Sequence, residues 1–376
     1  MLVELELIDK ALAIMGPFSG CLPLFLPATT AFVAGVGVRL GPGRAFWLAM
    51  RSRFGLVRGL GDMPGSQRVG DVTALREGLA NLQTNAYIVV SGPKGVGKSC
   101  VIATAVKSMP SVVAIDVAPG TKQEVIVESG LRAITRDSMQ FINPLPNAER
   151  VLKWHNFFLA PPVLVVNVSE RQDNGLYAQT TGAVRVLASM GIRVVVDASD
   201  NSLEKGTIST KRERWLEMDV MPRDVVMRIL PFKELFDKLD KVGVADVVWR
   251  LVGGNPAELE KLESALTGSN VDVVEATGKF LGRALADTID RHTNMLAANP
   301  EFEAITELFK TQDEVPETLL GEKRLTLPSP CKVLRKVKRD DKGVVIVPAD
   351  AYMAFVLRHD LKKPAPIEEL KNMVAR

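Results

Sequence analysis

Eight residues constrain this chain more than any others. Gly92, Pro93, Lys94, Gly95, Val96, Gly97, Lys98 and Ser99 stand between the β-rich run Ala86 to Val90 and the helix-forming stretch CVIATAVKSM, residues 100–109. The spacing fits G-x-x-x-x-G-K-[ST], and the flanking patterns predict strand, loop and helix in that order. The first N–H groups of a helix have no partner inside it. A glycine loop leading into such an end can turn successive N–H groups toward one anion, because glycine reaches backbone angles that a Cβ forbids. A phosphate chain is the expected guest. Lys98 would bridge the terminal phosphates, and the Ser99 hydroxyl would ligate magnesium. The expected binding set runs from Gly92 through Cys100, while Thr104 and Lys107, farther along the helix, have no expected chemical role.

Composition narrows the remaining choices. At about 150 residues per domain, 376 residues suggest two domains or one with additions. Cys21, Cys100 and Cys331 are too few and too scattered for a disulfide scaffold or a zinc ribbon, which favours a reducing, intracellular compartment. His155, His292 and His359 cannot make an HExxH centre. A formal net charge of +3 excludes a polycation built for nucleic acid, so any basic patch is local. One such patch, Lys332 to Lys342, reads as a solvated strand edge or as a nucleic-acid contact.

Four further apolar runs follow the loop: residues 111–116, 163–168, 192–197 and 214–220. Nearly continuous apolar strands separated by helical segments, such as 178–190 and the longer insert around 123–158, predict a doubly wound parallel sheet covered on both faces. With the glycine loop, this series resembles the P-loop NTPases of the AAA+ and STAND (archaeal-type ATPase) class, and more loosely the NTPase module of Crinkler and RHS-type effectors. The resemblance covers roughly residues 71–266 and is specific at the loop.

It implies an α/β P-loop NTPase parallel sheet flanked by helices, with ATP and Mg²⁺ as ligands. No N-K-x-D motif for reading guanine follows the loop. In the family the third strand ends in two acids, one linked to magnesium and one activating water. Here Asn167 and Val168 occupy those places, leaving Glu170 as the nearby carboxylate that could act as base. Asp197, at the end of the fourth strand, could replace the missing acid, since adjacent parallel strands bring their C-terminal ends to the same crevice beside the loop. Ser199 and Asn201 match the polar sensor of the γ-phosphate. The catalytic set is therefore Lys98, Glu170 and Asp197. An arginine of the segment 211–214 could act as a finger on its own or a neighbouring subunit's nucleotide.

Downstream, residues 221–230, 232–239, 244–251 and 257–266 have helical spacing, and Gly253, Gly254, Asn255 and Pro256 stand before the last of them. By resemblance this is a lid; by local chemistry it is a helix stop and restart. A helical region over 271–312 and a hairpin candidate, VLRKVKRDDKGVVIVP, before the helix AYMAFVLRH suggest a winged-helix-like module by analogy. The expected divisions are residues 1–65, an apolar arm or membrane segment; 66–222, the P-loop core; 223–268, the helical lid; and 269–376, the C-terminal region.

Residues 11–38 carry no charge and are long enough to cross a bilayer, yet Pro17, Pro23 and Pro27 would break a helix there. A buried arm and a membrane segment both stay open, and the location is cytoplasmic or membrane-associated. The functional expectation is an ATPase coupling nucleotide binding and slow hydrolysis to conformational change, acting on a protein partner or as a homo-oligomer. The alternative is a nucleotide-held scaffold or switch without turnover.

Overall fold

The computed structural model describes residues 68–107, 109, 111–118, 120–135, 152, 161–168, 174–199, 212–267, 272–320, 333–339 and 343–375. Its first half alternates helix and strand: α1 (Val69–Ala80), β1 (Tyr87–Gly92), α2 (Lys98–Val106), β2 (Val112–Val117), α3 (Gln123–Thr135), β3 (Val163–Val168), α4 (Asn174–Ser189), β4 (Arg193–Ser199) and β5 (Glu213–Glu217). The five strands form one sheet in the order β2-β3-β4-β1-β5, parallel throughout.

Period-two alternation sorts the apolar side chains onto the two faces. Ile88, Val90, Val163, Val165 and Val195 pack with α1 and α2, whereas Tyr87, Val89, Leu164, Val166 and Val196 pack with α3 and α4. Both faces are covered, which explains why the strands read as continuous apolar runs. The chain leaves β1 for the far edge at β2, steps back through β3 to β4, then passes over β1 to β5. Connections from β1 and β4 thus run in opposite directions, and the crevice at their carboxyl ends is the topological switch point of the sheet.

β5 stops at Glu217, short of the run expected to reach residue 220. Met218 donates to the Ser91 carbonyl at 2.8 Å, and beyond Gly92 β1 turns into the glycine loop and offers no further ladder. The same strand corrects the arginine-finger expectation within one chain. Arg214 pairs with Ile88, four positions before Gly92, about 13 Å from the loop end of β1 at 3.3 Å per residue. Only a neighbouring subunit's nucleotide stays within reach of that idea.

The second half comprises α5 (Arg223–Val226), α6 (Leu230–Lys241), α7 (Ala245–Val252), α8 (Pro256–Ala265), α9 (Val273–Ala298), α10 (Glu303–Leu308), β6 (Val315–Pro316), β7 (Leu334–Arg339), β8 (Gly343–Pro348), α11 (Ala351–His359) and α12 (Ile367–Ala375). Phe232, Leu235, Phe236 and Leu239 form the buried stripe of α6 at helical spacing. Asp272 caps α9 through the N–H groups of Val274 and Glu275. The helical run expected over 271–312 is interrupted at Asn299, ahead of Pro300, whose ring cannot continue the ladder. Strands β6, β8 and β7 make an antiparallel sheet in that order.

Residues on either side of position 268 share one hydrophobic core. Leu235, Val248 and Leu259 of the lid segment pack with Leu281 and Leu285 of α9 and with Phe355 and Val356 of α11. No helix among the described residues is long and apolar enough to cross a membrane, and residues 11–38 lie outside them.

Candidate functional site

The loop between β1 and α2 sits at the switch point. Gly95 and Gly97 hold φ of +83° and +91°, the left-handed region where a side chain strains the backbone. Gly95 also has no room for one. A Cβ there would lie 2.6 Å from Asn255 Oδ1 and 2.7 Å from the Ala257 Cβ. Among the described residues the N–H groups of Gly95, Val96 and Gly97 meet no protein acceptor, so they are available to an anion. The buried Lys98 lays its ammonium along the same loop, donating to the carbonyls of Gly92 at 2.8 Å and Pro93 at 2.9 Å. Pro93 and Lys94 complete the loop, and the Lys94 carbonyl is held from the lid segment.

Strand order brings a carboxylate to this place. Because β4 lies directly beside β1, with Val90 opposite Asp197, the Asp197 side chain accepts a hydrogen bond from Ser99 Oγ at 2.7 Å. Burial pushes the Asp197 carboxyl above its ordinary range, while the Ser99 hydroxyl and the nearby Lys98 charge pull the other way. A half-buried carboxylate and hydroxyl and a buried ammonium are therefore brought close together. This set suits a triphosphate with a hard divalent cation, since magnesium takes few protein oxygens and completes its shell with phosphate and water. No group of three His, Cys, Asp or Glu side chains able to hold a metal is found among the described residues.

Asn167 turns away from the loop. It lies on β3, with β4 between it and β1, and donates to Asp116 Oδ1 on β2 at 2.8 Å. The carboxylate beside Ser99 thus comes from the strand next to the loop rather than from the third strand in sequence. Ser199 ends β4 opposite Gly92, but its side chain, together with Glu170 and Asn201, lies outside the described residues. Cys100 is half-buried, and its thiol is pushed up by burial and by the charges of Glu260 and Asp197.

Several site contacts had no signal strong enough to assign them from sequence. Asn255 caps α8 by accepting from the Ala257 N–H, a role that Asn before Pro announces, yet its Nδ2 also donates to the Lys94 carbonyl at 2.9 Å. The Ala257 N–H reaches the Gly95 carbonyl as well, at 3.3 Å. Gly254 is pressed against the chain after β5: its carbonyl accepts from the Met221 N–H at 2.9 Å, and a Cβ at Gly254 would lie 1.8 Å from the Met221 oxygen. The Gly253 to Pro256 turn is thereby clamped onto the glycine loop. Arg68, just before α1, pairs with Asp71 and donates to the carbonyls of Asp219 at 2.6 Å and Val96 at 3.4 Å.

The chain matches no known protein-family model and no curated protein.

Proposed function

We propose that this chain is an ATP-binding P-loop ATPase of AAA+/STAND type, in which nucleotide binding at the glycine loop and slow hydrolysis drive movement of the lid. The observation that carries this reading is the half-buried Ser99–Asp197 pair at 2.7 Å beside a loop of left-handed glycines. In this reading the N–H groups of Gly95, Val96 and Gly97 bind phosphate oxygens, and Lys98 leaves the Gly92 and Pro93 carbonyls to neutralise the terminal phosphate. Ser99 and Asp197 would hold magnesium, which when bound would offset negative charge on the phosphate chain. Asn255 holds the loop from the lid side through Lys94, so that a change in loop conformation is felt by α8.

The orientation of Asn167 toward Asp116 favours a second reading, a nucleotide-held switch that binds without turnover. Binding and turnover measured on the same samples separate the two. Wild type should bind Mg-ATP, and Lys98→Ala should weaken binding on the order of 100-fold, the loss of more than one charge-assisted contact. Phosphate release that disappears in Asp197→Ala and in Glu170→Ala supports the ATPase. Binding without phosphate release makes the protein a switch. Wild type that fails to bind any nucleoside triphosphate sinks both. The C-terminal sheet, with its β7–β8 hairpin, supplies a winged-helix-like surface for a protein or nucleic-acid partner in the same proposal.

A further inference from the structure

Asp219 is the meeting point of two arginines from distant parts of the chain. Arg68 donates to its backbone carbonyl at 2.6 Å, and Arg335, on β7, donates to its side-chain Oδ1 at 2.8 Å. Arg68 in turn reaches the Val96 carbonyl of the glycine loop at 3.4 Å. Both arginines are largely buried, with side-chain exposures of 9% and 12%. The Asp219 side chain is 44% exposed, so the Arg335–Asp219 bond is partly screened by solvent, whereas Arg68 bonds a backbone carbonyl.

The hairpin geometry fixes which residues of β7 can take part. Directly paired residues of an antiparallel ladder share a face, so Arg335 with Val347 and Val337 with Val345 lie on one side of the hairpin, and Leu334 and Ile346 lie on the other. The Ile346 side belongs to the core with Phe302, Phe309 and Met353. Arg335 therefore belongs to the face that does not enter that core, and its guanidinium joins the hairpin to the P-loop half of the molecule.

We infer that Arg335, Asp219 and Arg68 form a bridge that couples the glycine loop to the C-terminal three-stranded sheet, so that the state of the loop sets the stability of the β7–β8 hairpin and the hairpin in turn sets the affinity of the loop. Its regulatory use rests on the nucleotide-binding reading above; the mechanical link does not. Coupling of this kind is reciprocal. A partner that engages the hairpin would therefore change nucleotide affinity, and nucleotide would change the affinity for that partner.

Amide hydrogen exchange on the full chain tests the bridge. Without nucleotide, Arg335→Ala and Asp219→Ala should each speed exchange at residues 94–98 about 5- to 30-fold, a typical range for coupled sites. Because both variants cut the Arg335–Asp219 bond, the effect of the double variant should fall short of the sum of the two single ones. Unchanged loop exchange in both single variants, or additive effects in the double, overturns the bridge. Arg335→Lys and Asp219→Asn repeat the comparison if an alanine variant unfolds globally, which exchange throughout the chain would reveal.

With Mg-ATP, wild type should slow exchange in the loop and alter it at 334–348. Arg335→Ala should keep the loop response and lose the hairpin response. An equal hairpin response in the variant, or a protected loop with an indifferent hairpin in wild type, also overturns the coupling. If the loop of wild type gains no protection, the nucleotide-binding reading fails, while the nucleotide-free comparison still decides the bridge.

Discussion

At the scale of single residues, Asp197 carries conflicting demands. Burial holds its pKa above the ordinary value of 3.8. The folded state therefore binds its proton more tightly than the unfolded chain does. The sign follows from linkage: Asp197 contributes most stability below the unfolded pKa, and that contribution is lost as pH rises through the raised folded pKa. Asp197→Asn removes the titration while keeping an acceptor for Ser99 Oγ. The variant should melt higher than wild type at neutral pH without ligand, by roughly 1 kcal/mol, as relief of a strained functional group commonly gives. The gap should close as pH falls toward 4. Magnesium-dependent nucleotide binding should disappear in the same variant at every pH, because an amide cannot supply the charge. Thermal melts across pH with and without Mg-ATP check both statements, and a variant that melts lower at neutral pH would mean the carboxylate is well accommodated.

The loop itself was readable because its residues are contiguous and each has a local reason to be what it is. The expectation for Asp197 as a replacement acid rests on adjacent parallel strands bringing their carboxyl ends to one crevice, which serves the loop only where β4 lies beside β1. That condition is a matter of strand order, and no local pattern in VVVDAS encodes it. Asn167 is the converse case: the sequence shows a neutral residue where the metal-linked acid is expected, and the fold shows what it does instead, bonding Asp116 on the neighbouring edge strand.

Among elements, the decisive contact is between the glycine loop and the turn before α8. Gly95 and Gly254 are the tight points, each close to backbone or to a short side chain that cannot swing aside. Gly254→Ala would force Met221 away from β5 and lift the turn off the loop. The expected cost is about 1–3 kcal/mol, the range for overpacking a filled site. Asn255→Ala removes both the cap and the bond to the Lys94 carbonyl, and should cost about 1 kcal/mol in stability as a lost N-cap does. If the Lys94 contact serves the site, Asn255→Ala should also weaken nucleotide affinity, whereas Asn255→Ser, which restores a capping oxygen but cannot reach as far, should recover stability and leave affinity low. Chemical denaturation and nucleotide titration on the two variants separate the cap from the contact. Sequence reading identified the turn, since Gly, Asn and Pro punctuate helices in this order, but its partner Lys94 lies 161 positions away and is brought near only by the fold.

For the whole molecule, the hydrophobic cores show what can be separated. The sheet has its own apolar layers, built by residues 72–218. The lid segment has none to itself: its helices bury Leu235, Val248, Leu251 and Leu259 against Leu281, Leu285, Ile289, Tyr352, Phe355 and Val356. Expecting a boundary at 268 was reasonable from helical spacing alone, because periodicity shows that a helix has an apolar face and not which helix will cover it. A chain shortened to residues 66–268 would leave that face in water, at a cost of about 1.5–3 kcal/mol for each large apolar side chain uncovered. Such a fragment should bind a hydrophobic dye, lose cooperative melting of α6 to α8 and associate, while the sheet with its glycine loop stays folded. A fragment of residues 223–376 should instead retain a cooperative transition, since it keeps nearly all of the shared core. Should the shorter fragment melt cooperatively and stay monomeric, α9 and α11 would be dispensable to α6–α8, and a displacement of those helices would no longer oblige the C-terminal sheet to follow.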